Sequence, residues 1–229
     1  MESPKSHSFA IVFVLGAPGA GKGTLCAHLS QSYNLVHYSV GDSLRSWMRK
    51  NRKAPLAVTI QDKLDNQGFL TSEELNPFIS SAIKDALAQK PHKAGILVDG
   101  FPRSTEQLES WSVWPFAEDL PITGGANKNA KPDIVLSLRV SKQNAKARYS
   151  ARARDSNDSD EKFERRFAEY KQETIPVEES YRHRSILIDI DVNETREDNI
   201  VKMTRYLSES ELWQRVMVER RTDAQFLNL

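Results

Sequence analysis

The chain has 229 residues, one cysteine and nearly balanced charge, with 32 Lys plus Arg against 31 Asp plus Glu. The length suits one large α/β domain with small insertions. The balance argues against broad nucleic-acid binding, which needs a basic excess, and a single cysteine, Cys26, permits neither an internal disulfide nor a cysteine cage for zinc. Cys26 reads as a packing residue on the first helix. The polar start, MESPKSHS, is not expected to be a signal peptide, and no run reaches the ~20 apolar residues of a membrane span. A cytoplasmic or nuclear setting is expected, with no membrane or nucleic-acid partner.

Residues 9–15 (FAIVFVL) are apolar and β-branched without alternation, which predicts a central strand covered on both faces. A helical pattern follows over 22–33, then a short weak strand at 35–38. Helices are predicted over 42–52, 56–67 and 72–89. The run 96–99 (ILVD) is a second buried strand, followed by a helix at 105–111. The segment 115–132 carries three prolines and Gly124-Gly125, so it reads as a surface loop. A strand at 134–140, helices at 142–154 and 160–184, a strand at 185–190 and a helix at 194–210 complete the order. The tail beyond Ser210 looks helical and suits either packing back on the domain or meeting a partner. Strands alternating with helices imply an α/β fold, a parallel five-stranded sheet with helices on both faces.

After the first strand comes Gly16-Ala17-Pro18-Gly19-Ala20-Gly21-Lys22-Gly23-Thr24, a G-x-x-x-x-G-K string. Glycines let backbone N–H groups curl around phosphate oxygens, and the following helix turns its N-terminal dipole to the anion. Lys22 is placed to reach the β- and γ-phosphates, and Thr24 to face phosphate or a magnesium shell. The strand before and helix after give this string the context an NTP site requires. Asp99 closes the 96–99 strand, where a carboxylate of a parallel sheet meets the ligand crevice and can hold Mg2+ through water. Arg103 brings a planar donor fork to the same place.

These residues resemble the adenylate kinase and UMP/CMP kinase family. GAPGAGKGT resembles its phosphate loop, YSVGDSLR (38–45) its monophosphate-site motif, DGFPRS (99–104) its most diagnostic hexamer, and RRFAEYKQETIPVEESY (165–181) the helix after its lid. The likeness runs from about residue 9 to 207. It implies a P-loop NTPase-type core (8–38, 69–150, 160–210), an acceptor-binding insertion (39–68), a short lid (151–159) and a helical tail (211–229). It implies a monomeric kinase using ATP with Mg2+ to phosphorylate a nucleoside monophosphate.

By match, Arg45 and Arg103 grip the acceptor's phosphate, and Asp42 supports them. Val40, Gly41, Gly68, Phe69, Leu70, Gly100 and Gln107 line the acceptor site. Arg148 and Arg152, four apart on one helix face, resemble the pair that stacks on the adenine of ATP and holds its phosphates. Arg154 is the lid arginine, and Arg166, beside Arg165, opens the helix after it. Phosphoryl transfer needs positioning and positive charge more than a side-chain base.

The lid departs from the family: 152–158 reads RARDSND, shortened and without glycine. Val40 stands where adenylate kinases often carry Thr and UMP/CMP kinases Ala. Val40 and Trp111 favour UMP or CMP as acceptor, while Gln107 favours AMP. An adenylate kinase, or a nucleotide-binding relative with weak or no activity, stays open as an alternative. A GTPase switch ranks last, for want of an N-K-x-D string.

Overall fold

The computed structural model describes residues 9–66, 69–89, 92–113, 132–152 and 159–219. β1 (Ala10–Gly16) is buried from Ala10 to Leu15. Ile11, Phe13 and Leu15 enter one core, while Ala10, Val12 and Val14 enter the other. That two-sided burial is why the strand shows no polar alternation. Around it lie β2 (Leu35–Ser39), β3 (Gly95–Asp99), β4 (Ile134–Arg139) and β5 (Leu187–Asp191). The order is β2-β3-β1-β4-β5 and every pairing is parallel. The edge strand β5 does alternate in burial, as a half-covered strand should. The chain winds to one side of β1 for β2 and β3, then to the other for β4 and β5. The carboxyl end of β1 is therefore the switch point where open sheets bind ligands.

One core holds α2 (Val40–Lys50), α3 (Pro55–Asn66), α4 (Ser72–Leu87) and α5 (Thr105–Val113) against the sheet. In it Phe13, Phe101 and Trp111 meet edge to face, with centroids 5.4–5.5 Å apart. The other core holds α1 (Lys22–Ser32), α9 (Arg196–Glu209) and α10 (Glu211–Gln214). Between β4 and β5 come α6 (Lys142–Arg152), α7 (Asp160–Glu169) and α8 (Ile175–His183).

Three expectations shift. The helix expected from residue 42 starts at Val40, because Ser39 is its cap and accepts the Asp42 N–H at 3.4 Å. Asp42 then lies in the first turn, favourable for the helix dipole. The single helix expected over 160–184 is interrupted by a π-helical turn, Tyr170–Thr174. Pro176 has no N–H for the fourth carbonyl back, and the Ile175 N–H reaches Tyr170 O instead. The last strand starts at Leu187 rather than 185, since Ser185 sits at φ 56 in a left-handed turn.

The first part of the tail packs back on the domain. Trp213 is fully buried against Tyr33, ring to ring at 5.0 Å. Most of the 115–132 loop and residues 220–229 of the tail lie outside the described residues.

Candidate functional site

The phosphate loop joins β1 to α1. Gly19 and Gly21 hold positive φ, 82° and 85°. A Cβ at Gly19 would collide with the Ala145 carbonyl on α6, so the loop is pressed against that helix. Lys22 lies over the loop and donates to the Gly16 and Ala17 carbonyls at 2.8 and 3.0 Å. Burial lowers its pKa to about 8; the Asp99 carboxylate opposes the shift, while Arg103 and Arg152 add to it.

Two cavities adjoin at this loop, of about 230 and 360 Å3. Gly19, Ala20, Gly21, Gly23 and Arg152 line both. The first runs from the loop past Asp99 to Val40, Gly41, Arg45, Phe69, Leu70, Gly100, Arg103 and Gln107. It also reaches Gly16, Pro18, Lys22, Arg165 and Arg166. Eight cations (Lys22, Arg45, Lys63, Arg103, Arg152, Lys162, Arg165, Arg166) face three carboxylates (Asp42, Asp99, Glu169). In a chain of net charge +1, that concentration makes the cavity an anion site. The second cavity is lined by Thr24, Arg148, Arg152 and the turn Glu194-Thr195-Arg196.

DGFPR folds tightly at the end of β3. The Phe101–Pro102 bond is cis, and Gly100 sits at φ 84. A Cβ on Gly100 would press on the Arg103 guanidinium, whose Nε donates to the Gly100 carbonyl at 2.8 Å. The Arg103 carbonyl accepts the Thr174 hydroxyl at 2.8 Å, so the π-helical turn anchors this loop. Burial lowers the Arg103 pKa and Asp99 opposes it.

Arg45 pairs with Asp42 one turn earlier on α2. Arg166 reaches the Tyr149 hydroxyl at 3.3 Å and lies 6.0 Å from its ring. Arg148 donates to the Val192 and Glu194 carbonyls, both at 2.6 Å, which fixes its guanidinium plane beside the second cavity.

The structure thus brings together most residues the sequence points to. Ala17 is a buried member of the loop. Gly68 and Arg154 lie outside the described residues. Gln107, expected at the acceptor base, also holds the loops themselves: it bonds Leu70 O and the Arg103 N–H. Sequence reasoning missed Lys63, Tyr149 and the 194–196 turn. Tyr149 lies four residues after Ala145 on the face that packs the phosphate loop, and Thr195 caps α9 just past a strand's carboxyl end. Those two positions could have been read; the Lys63 contact is tertiary.

A phosphate loop between strand and helix, facing a second basic cavity across one crevice, defines a P-loop phosphotransferase. The family model for adenylate kinase matches residues 14–186. Over 199 residues the chain is 32% identical to the adenylate kinase of a Nitratiruptor species, covering 86% of this chain and 94% of that one. Over 198 residues it is 29% identical to the UMP-CMP kinase of Xenopus laevis, covering 84% and 95%. The chain belongs to the adenylate kinase family and is an ATP-dependent nucleoside monophosphate kinase. Among the described residues, no helix is long and apolar enough to cross a membrane.

Proposed function

We propose that the chain transfers the γ-phosphoryl group of ATP to a pyrimidine nucleoside monophosphate, UMP or CMP, in preference to AMP. The observation that carries the acceptor choice is the apolar wall of the first cavity. Val40, Leu44, Ile60 and Leu75 line it beside Phe69 and Leu70, and Val40 offers no hydrogen bond there. The Gln107 amide spends one N–H and one oxygen lone pair, half of its hydrogen-bonding capacity, on Leu70 and Arg103. In this reading 39–68 is the acceptor-binding insertion and 151–159 a short lid.

ATP lies along Gly16–Thr24 with its base beside Arg148 in the second cavity. Arg45 and Arg103 hold the acceptor's phosphate. Lys22, Arg152 and Arg166, with the lid's Arg154, neutralise charge on the transferred group, and positioning supplies the rest. One chain supplies all these groups, which suits a monomer. Asp99 and Thr24 are oxygen donors next to the loop, a fit for Mg2+, which keeps most of its waters and binds one or two protein oxygens. Asp99, through water, and Thr24 would hold the ion that comes with ATP, and Mg2+ would offset the charge of the phosphates there.

An assay coupled to ADP release, run with UMP, CMP, dCMP and AMP, tests this. Higher kcat/KM for UMP or CMP than for AMP is expected. A preference for AMP would overturn the acceptor choice; no stimulation by any of the four would leave nucleotide binding alone.

A further inference from the structure

Behind the phosphate loop, on the sheet face that α1 covers, three side chains of different chemistry converge. Cys26 is on the second turn of α1, His37 on β2 and Asp99 at the end of β3. The parallel register pairs His37 with Leu97 and Ser39 with Asp99. His37 and Asp99 therefore share a face and sit diagonally across the ladder. Cys26 is fully buried and Asp99 is buried at the cavity edge. The Cys26 sulfur, a His37 ring nitrogen and an Asp99 oxygen lie within 4.8 Å of one another. No other such group of three occurs among the described residues.

Two details show that this is more than packing. His37 Nε2 is buried and has no hydrogen-bond partner, an orphan that native interiors rarely keep. It stands 3.6 Å from Asp99 Oδ2, beyond a good hydrogen bond. In a tetrahedral zinc site, bond lengths of ~2.0–2.2 Å to imidazole nitrogen and carboxylate oxygen give a nitrogen-to-oxygen edge of about 3.3–3.6 Å. The observed His–Asp separation falls at that edge length.

We infer that Cys26, His37 and Asp99 form a binding site for a thiophilic divalent cation of the Zn2+ class. The ion takes one thiolate, one imidazole and one carboxylate, with water from the cavity as fourth ligand. Thiolate and carboxylate cancel its two charges. On binding, the Cys26 thiol releases its proton to water as the sulfur–metal bond forms, and His37 donates through Nε2 with its proton on Nδ1. Asp99 lines the nucleotide cavity, which is the entry path. A hard ion such as Mg2+ has no use for the sulfur, so the two metals compete only for Asp99. Zn2+ here withdraws that carboxylate from the phosphate side and inhibits the kinase. The inference goes beyond the proposed acceptor and does not depend on it.

The test titrates Co2+, then Zn2+, into full-length, metal-free protein and follows the absorption spectrum. Wild type is expected to bind one equivalent of Co2+, with a thiolate-to-cobalt charge-transfer band that Zn2+ bleaches. Cys26→Ser loses the band; His37→Gln alters the visible bands and weakens binding by about tenfold or more, since even outer-shell losses reach that scale. Circular dichroism checks that each variant is folded. The chain has one cysteine, so the wild-type spectrum decides the matter even if a variant fails to fold. No charge-transfer band in folded wild type, or the same band in Cys26→Ser, overturns the site. In a kinase assay with excess Mg2+, equal Zn2+ sensitivity of wild type and folded Cys26→Ser overturns the inhibition.

Discussion

The side-chain amide of Gln107 holds Leu70 in place: its Nε2 donates to the Leu70 carbonyl at 2.8 Å. Its Oε1 accepts the Arg103 N–H at 2.7 Å, so one side chain ties the acceptor wall to the DGFPR turn. Gln107 is almost fully buried. Gln107→Leu strands both backbone groups and should cost about 1–3 kcal/mol of stability. It should also raise KM for the monophosphate and leave KM for ATP near wild type. Steady-state kinetics with each substrate varied checks this; an equal rise in both constants would contradict an acceptor-side role.

Arg103→Ala removes the cation that the Gly100 carbonyl and Thr174 anchor hold over the cavity floor. The expected loss in kcat/KM is roughly two orders of magnitude, about 3 kcal/mol of transition-state stabilisation. Near-wild-type turnover would place Arg103 outside the reaction.

The Lys22 ammonium, lowered by burial to about 8, must be charged to meet phosphate. In the free enzyme that charge is present below pH 8 and lost as pH rises through it. Hence kcat/KM for ATP should fall above about pH 8, since that parameter reports free-enzyme groups. Stability moves the other way between about pH 8 and 10.5, because the unfolded chain binds more protons there. In Lys22→Met the alkaline fall should vanish along with most of the activity.

Gly19→Ala combines a positive φ with a collision against the Ala145 carbonyl. A cost of about 1–3 kcal/mol is expected for the strained backbone, read as a lower Tm, together with weaker ATP binding by calorimetry. Gly21 also has positive φ, but nothing lies near its Cβ position. Gly21→Ala should therefore be the milder of the two.

Trp213 is buried completely although it lies in the tail, past the expected core segments. Trp213→Ala should cost about 3–5 kcal/mol, measured by denaturant unfolding. A loss under about 1 kcal/mol, the range of surface changes, would make the tail an accessory.

What the sequence by itself determined was the frame and the loop chemistry. β1 had to be central because FAIVFVL leaves no polar face. The phosphate loop had to bind a nucleotide because glycines, Lys22 and a following helix have few other joint uses. The DGFPR turn marked the opposite wall for the same local reason. Only the tertiary structure decided matters that depend on distant partners. The 160–184 stretch read as one helix, and only the structure showed the π-helical turn that puts Thr174 on the Arg103 carbonyl. Gln107 looked like a base contact; its bond to Arg103 is local, four residues away, but its bond to Leu70 spans 37 residues, a separation no local pattern encodes. Cys26 looked like packing; strand register and helix docking put it beside His37 and Asp99. Sequence periodicity reports which face of an element is buried, whereas the partner across that face is set by the way the sheet is wound.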